Sequence, residues 1–85
     1  MQKSLYSRQH QRLCELLTQA RLAAGLTQVD VARRLGKPQS FVSKYEGGER
    51  RLDVIEFLAI AHAIGIDPAA ILAELQRGQA PRKRR

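Results

Sequence analysis

Residues 27–48 read TQVDVARRLGKPQSFVSKYEGG, and they open with a predicted short helix over residues 28–35. Thr27 precedes this helix and Asp30 follows three residues later, which is the capping-box pattern that starts a helix. Gly36 ends the helix, because glycine readily adopts the left-handed conformation in which many helices terminate.

A second short helix is predicted over residues 38–46. Pro38 suits a first helical turn, where its missing N–H group costs no hydrogen bond, and this start places Lys37, a poor N-cap, at the cap position. Gly47-Gly48 ends the helix. Because only Gly36 and Lys37 separate the two helices, they must cross steeply, and a short glycine-containing turn of this kind is typical of a helix-turn-helix.

Three further helices are predicted around this pair, so the fold class is all-α with five helices. Helix 1 covers residues 8–24, helix 4 covers residues 53–64 and helix 5 covers residues 68–77. The residues predicted to face inward are Leu13, Leu16, Leu17, Ala20 and Ala24; Val29, Ala32 and Leu35; Val42 and Tyr45; Val54, Phe57, Leu58, Ala61 and Ile64; and Ile71, Leu72 and Leu75.

The chain has 85 residues, which suits one domain. That domain is predicted over residues 8–78, with a flexible leader over residues 1–7. Residues 79–85 have no apolar surface to bury, and they are predicted to form a disordered basic tail. The tail either tracks DNA phosphates without sequence preference or is a solvated end with no specific role.

The residue inventory argues against an enzyme. His10 and His62 are far apart in the pattern, and neither has a suitably spaced cysteine or acid for metal or nucleophilic chemistry. Cys14 is the single cysteine, so an internal disulfide is excluded, and it is interpreted as a small packed side chain or, less simply, a redox switch. No cofactor, metal or small-molecule ligand is indicated.

No apolar stretch approaches the roughly 20 residues that a membrane-spanning helix needs. Residues 1–12 are polar and lack the apolar core of a signal peptide. The sequence therefore predicts a soluble, cytoplasmic protein, located with the nucleoid if it binds DNA.

Charge is distributed unevenly along this chain of formal net charge +7. Residues 33–51 hold six basic residues against two acidic ones, whereas residues 52–78 hold one basic residue against four acidic ones. Residues 82–85 are all basic. This polarity favours one face for a polyanion and another for a different contact, although an ordinary solvated surface is the alternative.

Helix 3 carries the side chains that suit base recognition. Gln39, Ser40, Ser43 and Lys44 share one stripe, Val42 and Tyr45 lie opposite, and Phe41 is at the border. Glutamine pairs with adenine through two hydrogen bonds, lysine reaches guanine acceptors, and serine accepts several partners. A solvated polar helix face remains the alternative.

Groups near helix 3 can bind backbone phosphates. Gln28 begins helix 2, where free N–H groups and the helix dipole favour an anion. Arg50 and Arg51 follow the glycine pair and can flank another phosphate. Such contacts position a protein on DNA without reading its sequence.

With these residues in place, the chain resembles the Cro/CI-type helix-turn-helix family, or XRE family, of phage and bacterial repressors. The resemblance covers about residues 13–75. The matching residues are Arg21, Gly25-Leu26-Thr27-Gln28, Val31-Ala32, Leu35-Gly36, Gln39 to Gly48, and Ile60 to Ile66. The chain departs from the family pattern at Lys37-Pro38, where a small polar cap is usual, and at Leu52, where many relatives carry proline.

The resemblance implies a five-helix, lambda-repressor-like DNA-binding domain with the helix-turn-helix at helices 2 and 3. It implies that Gln28 contacts phosphate and that an ion pair links Arg21 to Glu46. The base-reading residues are then Gln39, Ser40, Ser43 and Lys44. Residues and resemblance together predict phosphate binding by Arg21, Thr27, Gln28, Lys37, Arg50 and Arg51.

The function implied is a transcriptional regulator, a repressor or autoregulator, that binds a palindromic operator as a homodimer with helix 3 in the major groove. Ile71, Leu72 and Leu75 are the predicted dimer interface, unless they pack only into the core. The alternatives are an antitoxin that also binds a toxin partner and an adaptor that has lost DNA binding.

Overall fold

A computed structural model describes the backbone of residues 2–79 and the side chains of residues 8–77. Within residues 2–79 the chain forms five helices and no strand. The helices are α1 (Gln2–Ala23), α2 (Gln28–Leu35), α3 (Gln39–Glu46), α4 (Val54–Ile64) and α5 (Pro68–Gln79). The all-α, five-helix fold class predicted from the sequence is confirmed.

The outer helices are longer than predicted. α1 begins at Gln2, so residues 2–7 of the predicted leader are helical, since neither glycine nor proline interrupts the sequence before Gly25. α5 continues through Gly78 to Gln79, because glycine inside a helix costs only about 1 kcal/mol and does not forbid it. The rest of the predicted tail, residues 80–85, lies outside the described residues.

Both predicted capping boxes are present. The Thr27 hydroxyl accepts a hydrogen bond from the Asp30 N–H at 3.0 Å, and the Thr27 N–H donates to the Asp30 carboxylate at 2.9 Å. The Asp53 and Glu56 pair does the same at the start of α4, at 2.7 and 3.0 Å. Hydrogen bonds from the backbone and then the side chain of Thr27 lower the pKa of Asp30.

The turn between α2 and α3 follows from Gly36, whose φ is +69°. This left-handed residue lets the Lys37 N–H bond the Ala32 carbonyl at 3.0 Å, which closes α2. The sequence assigned the N-cap of α3 to Lys37, and this was wrong. The helix begins one residue later, with Pro38 as the N-cap and no side-chain capping bond.

The core lies between α1, α4 and the α2–α3 pair. Its buried residues are Leu16, Leu17, Val31, Ala32, Val42, Tyr45, Phe57, Ile60, Ala63, Ile64 and Ile71. α2 packs on α3 and α4, while α1 packs on α3, α4 and α5. α3 therefore has α1 and α2 behind it, and its opposite side is free of other helices in the described part of the chain.

Several residues predicted to face inward are exposed. Val29 is 44% exposed and Val31 is buried instead, because either valine completes an apolar stripe with Ala32. Val54 and Leu58 are exposed too, while Ile60 and Ala63 are buried. Apolar residues occupy nearly the whole circumference of α4, so their spacing does not select a face.

No single helix among the described residues is long and apolar enough to cross a membrane. α4 and α5 reach the required length and apolar composition only when they are taken together, and they are bent by 115° relative to each other.

Candidate nucleic-acid interface

α3 presents one polar face to solvent and one apolar face to the core. Val42 and Tyr45 are fully buried. The residues on the exposed face are Gln39, Ser40, Ser43 and Lys44. The structure thus brings the four predicted base-reading residues together on one accessible surface, and their contact with bases stays a prediction.

An ion pair fixes the C-terminal end of α3 to α1. Arg21 Nε donates to Glu46 Oε2 at 2.7 Å, and Arg21 Nη2 donates to Glu46 Oε1 at 3.0 Å. Arg21 Nη1 donates to the Leu26 carbonyl at 2.9 Å. The hydrogen bonds from Arg21 to Glu46 raise the pKa of the guanidinium, so Arg21 stays charged across the ordinary pH range.

The sequence also assigned Arg21 to phosphate binding, and that contact stays a prediction. Only 9% of Arg21 is exposed, and each of its three nitrogens already donates to Glu46 or Leu26. These bonds use three of the five N–H groups of the guanidinium, so a phosphate contact would go to the remaining two without displacing the ion pair.

Two glutamines extend the ion pair to the start of α3. Gln28 Nε2 donates to Glu46 Oε1 at 3.0 Å, and Gln39 Nε2 donates to Gln28 Oε1 at 3.1 Å. A carboxamide has two N–H donors and one oxygen acceptor. Gln39 therefore retains one N–H donor and its oxygen acceptor. These two groups complement the N7 acceptor and the N6–H donor that adenine presents in the major groove.

The other predicted phosphate-binding residues surround this face. Thr27 is exposed, and its hydroxyl accepts the capping bond, which leaves its hydrogen to donate. Lys37 is exposed before α3. Arg50 and Arg51 are exposed after it, and Arg50 forms an ion pair with Glu56. The structure places cations at both ends of α3, and phosphate contact by these residues stays a prediction.

Sequence reasoning missed three tertiary contacts near the site. Two cations lie close to the ring of Phe41, with Lys37 Nζ 5.4 Å and Arg50 Cζ 5.0 Å from its centroid. Arg34 donates to the Ala63 carbonyl at 2.8 Å, in the last turn of α4 where helical carbonyls lack partners. His10 Nε2 lies 3.3 Å from the Gly48 carbonyl oxygen. The sequence hinted at one of these three contacts, through the position of Phe41 at the border of the polar stripe of α3.

The predicted dimer interface is largely internal. Ile71 is buried and Leu75 packs half-buried against the core, so only Leu72, which is 48% exposed, is available on α5. The larger exposed apolar surface is on α4, where Val54 is 70% and Ile55 is 73% exposed. The sequence missed this surface because it assigned Val54 to the core and did not consider Ile55.

Within the described residues, no three His, Cys, Asp or Glu side chains are arranged to bind a metal ion. Cys14 is buried, and burial raises the pKa of its thiol. The reactive thiolate form is therefore disfavoured, which fits the interpretation of Cys14 as a packed side chain better than a redox switch.

Residues 17–71 match the family model described as Helix-turn-helix. The chain is 51% identical to an XRE-family like protein from Pseudomonas syringae pv. tomato str. DC3000, over 93% of this chain and 96% of that one, with a TM-score of 0.88. No curated protein matches the sequence.

Two regulators of known structure are more distant. The restriction-modification controller protein C.AhdI from Aeromonas hydrophila is 30% identical over 71% of this chain and 91% of its own, with a TM-score of 0.66. The clp gene regulator ClgR from C. glutamicum is 22% identical over 87% of this chain and 96% of its own, with a TM-score of 0.76, and shows the shared fold.

Proposed function

The chain belongs to the XRE family of helix-turn-helix proteins, and we propose that it regulates transcription by binding a palindromic operator as a homodimer. α3 enters the major groove and reads bases with Gln39, Ser40, Ser43 and Lys44. The dimer acts as a repressor or autoregulator, since its presence on a promoter excludes other proteins from the same DNA. In a bacterium the protein then works in the cytoplasm, at the nucleoid.

The observation that carries this proposal is the exposed polar face of α3, fixed at both ends. The Arg21–Glu46 ion pair holds its C-terminal end, and the bond between Gln39 and Gln28 holds the first residue. A face fixed before binding loses little conformational freedom when it meets DNA, which favours sequence recognition over loose attraction.

A homodimer is proposed because one recognition helix contacts few base pairs, and specificity in a genome needs more. α4 offers the contact surface for a second copy. Its exposed Val54, Ile55 and Leu58 adjoin on the helix, and exposed Leu72 is on the neighbouring α5. Glu56, the one acidic residue of α4, accepts a hydrogen bond from the Asp53 N–H and pairs with Arg50.

The test is selection of binding sites from a randomised duplex pool at physiological salt with excess competitor DNA. We expect a palindrome whose half-sites are about one helical turn apart. Gln39→Ala and Lys44→Ala should weaken binding and relax the preference at specific base pairs, by about 1–3 kcal/mol per lost base contact.

Arg51→Ala is the matched control, because it removes a cation outside the α3 face. It should weaken all sequences about equally and make the salt dependence shallower. Recovery of no motif would contradict the proposal, as would a change of base preference in the Arg51 variant but not in the Gln39 variant.

A further inference from the structure

Phe41 is the third residue of α3, and its ring lies close to cations from two separate segments. Lys37 comes from the turn before α3, and its Nζ is 5.4 Å from the ring centroid. Arg50 comes from the loop after α3, and its Cζ is 5.0 Å from the same centroid. Both distances are within the range in which a cation is attracted to an aromatic face.

The ring itself is held firmly. Phe41 is half-buried and packs edge-to-face against the fully buried Tyr45, with ring centroids 5.6 Å apart and planes at 71°. The Phe41 N–H donates to the Pro38 carbonyl at 3.0 Å, in the first turn of α3. The two cations are therefore arranged around a fixed part of the helix that carries the base-reading residues.

Each cation is also held at its backbone. The Lys37 N–H donates to the Ala32 carbonyl at 3.0 Å, and the Arg50 N–H donates to the Lys44 carbonyl at 3.2 Å. Glu56 pairs with the Arg50 guanidinium. Long cationic side chains otherwise sample many rotamers, and that freedom would be lost on binding. The ring reduces the loss, because it already orders part of each side chain.

We propose that Phe41 is a positioning residue that holds Lys37 and Arg50 as a fixed pair of phosphate-binding cations, one from each end of α3. The phosphates are those of the duplex that α3 reads, so the inference rests on the proposed function. Phe41 acts through the two cations and sets the register of α3 on the DNA backbone.

The test compares Phe41→Leu with Phe41→Tyr in binding to a duplex of arbitrary sequence across a range of salt concentrations. Leucine keeps apolar packing but lacks an aromatic face, whereas tyrosine keeps the face. Phe41→Leu should weaken binding about three- to tenfold at low salt. It should also lower the slope of log affinity against log salt by about 1, as for loss of one phosphate contact, and Phe41→Tyr should resemble the wild type.

A double-mutant cycle separates positioning from general destabilisation. Lys37→Gln should weaken binding by a larger factor in the wild type than in the Phe41→Leu background, because the ring is what makes Lys37 effective. Arg33→Gln is the matched control, since Arg33 pairs with Asp30 on α2 and does not approach Phe41. Its effect should be the same in both backgrounds.

Nuclear magnetic resonance of the wild type keeps the inference falsifiable if Phe41→Leu does not fold. The side-chain methylene protons of Lys37 and Arg50 should show upfield ring-current shifts, and these shifts should persist when duplex is added. Unshifted protons, shifts that vanish on the duplex, or an unchanged salt slope in a folded Phe41→Leu variant would each overturn the inference. A wild type that binds no duplex but shows the shifts would instead overturn the proposed function.

Discussion

Tyr45 is fully buried beneath α3, and its hydroxyl has no hydrogen-bond partner among the described residues. An unpaired buried hydroxyl costs free energy, because it gives up bonds to water without replacing them. Tyr45→Phe should therefore raise the free energy of unfolding by about 1 kcal/mol, as measured by urea denaturation near neutral pH. Tyr45→Leu, which loses ring packing, should lower it; a less stable phenylalanine variant would mean that the hydroxyl is paired.

The same residue predicts a dependence of stability on pH. Burial, followed by the nearby Glu46, raises the pKa of Tyr45 above its ordinary value of 10.0. The raised pKa belongs to the folded state, so the folded state holds the Tyr45 proton more tightly than the unfolded state does. Ionisation of Tyr45 therefore costs no stability below pH 10.0, and the free energy of unfolding falls as pH rises from there toward the folded-state pKa. Between about pH 9 and about pH 11.5, the wild type should lose stability faster than Tyr45→Phe in matched denaturation curves. Parallel curves would contradict this.

Arg21 and Glu46 form a buried ion pair, and we expect removal of either partner alone to lower the free energy of unfolding. Their side chains are 11% and 6% exposed, so a single Glu46→Leu change leaves a buried guanidinium without its carboxylate. We expect this variant to lose about 3–5 kcal/mol of unfolding free energy. The double variant Arg21→Met/Glu46→Leu removes both charges, and it should be more stable than the single variant. Equal or lower stability of the double variant would show that the charge left behind is not the cause.

At the level of the helices, the capping boxes are worth a direct measurement. Thr27→Ala removes the acceptor for the Asp30 N–H, and Asp53→Ala removes the acceptor for the Glu56 N–H. Each should cost about 1 kcal/mol of unfolding free energy, whereas Thr27→Ser, which keeps a hydroxyl, should cost little. α3 has no side-chain cap, so Pro38→Ala should show no comparable loss of a capping bond. A Thr27→Ser variant as unstable as Thr27→Ala would exclude capping as the cause.

The sequence predicted the starts of α2 and α4 and the end of α2 well because those signals are local, whereas α1 begins six residues earlier and α5 ends two residues later than predicted. A capping box or a left-handed glycine such as Gly36 depends on residues within one turn. Which face a helix buries depends on its neighbours, and here the sequence was less successful. α4 is apolar on almost every side, so Val54 and Leu58 were assigned to the core in place of Ile60. Contacts between segments have little local signal, and the border position of Phe41 on α3 was the one hint of its contacts with Lys37 and Arg50.

Across the whole molecule, the polar face of α3 and the apolar surface of α4 predict two separable activities. Ile55→Glu adds a charge to an exposed position of α4, so the fold should persist while self-association is lost. Leu22→Glu, on the exposed end of α1, is the matched control and should leave association unchanged. Sedimentation velocity at micromolar concentration measures both, and circular dichroism confirms folding.

DNA binding then distinguishes dimerisation from recognition. A folded Ile55→Glu monomer keeps the α3 face, so its affinity for an isolated half-site should equal that of the wild type. Its affinity for the full palindrome should fall at least tenfold, because the second half-site no longer benefits from a linked subunit. Equal loss on half-site and full site would place Ile55 in recognition rather than association. If the Ile55→Glu variant still dimerised, the two-fold contact would not lie on α4. Leu72 on α5 would then be the next position to change.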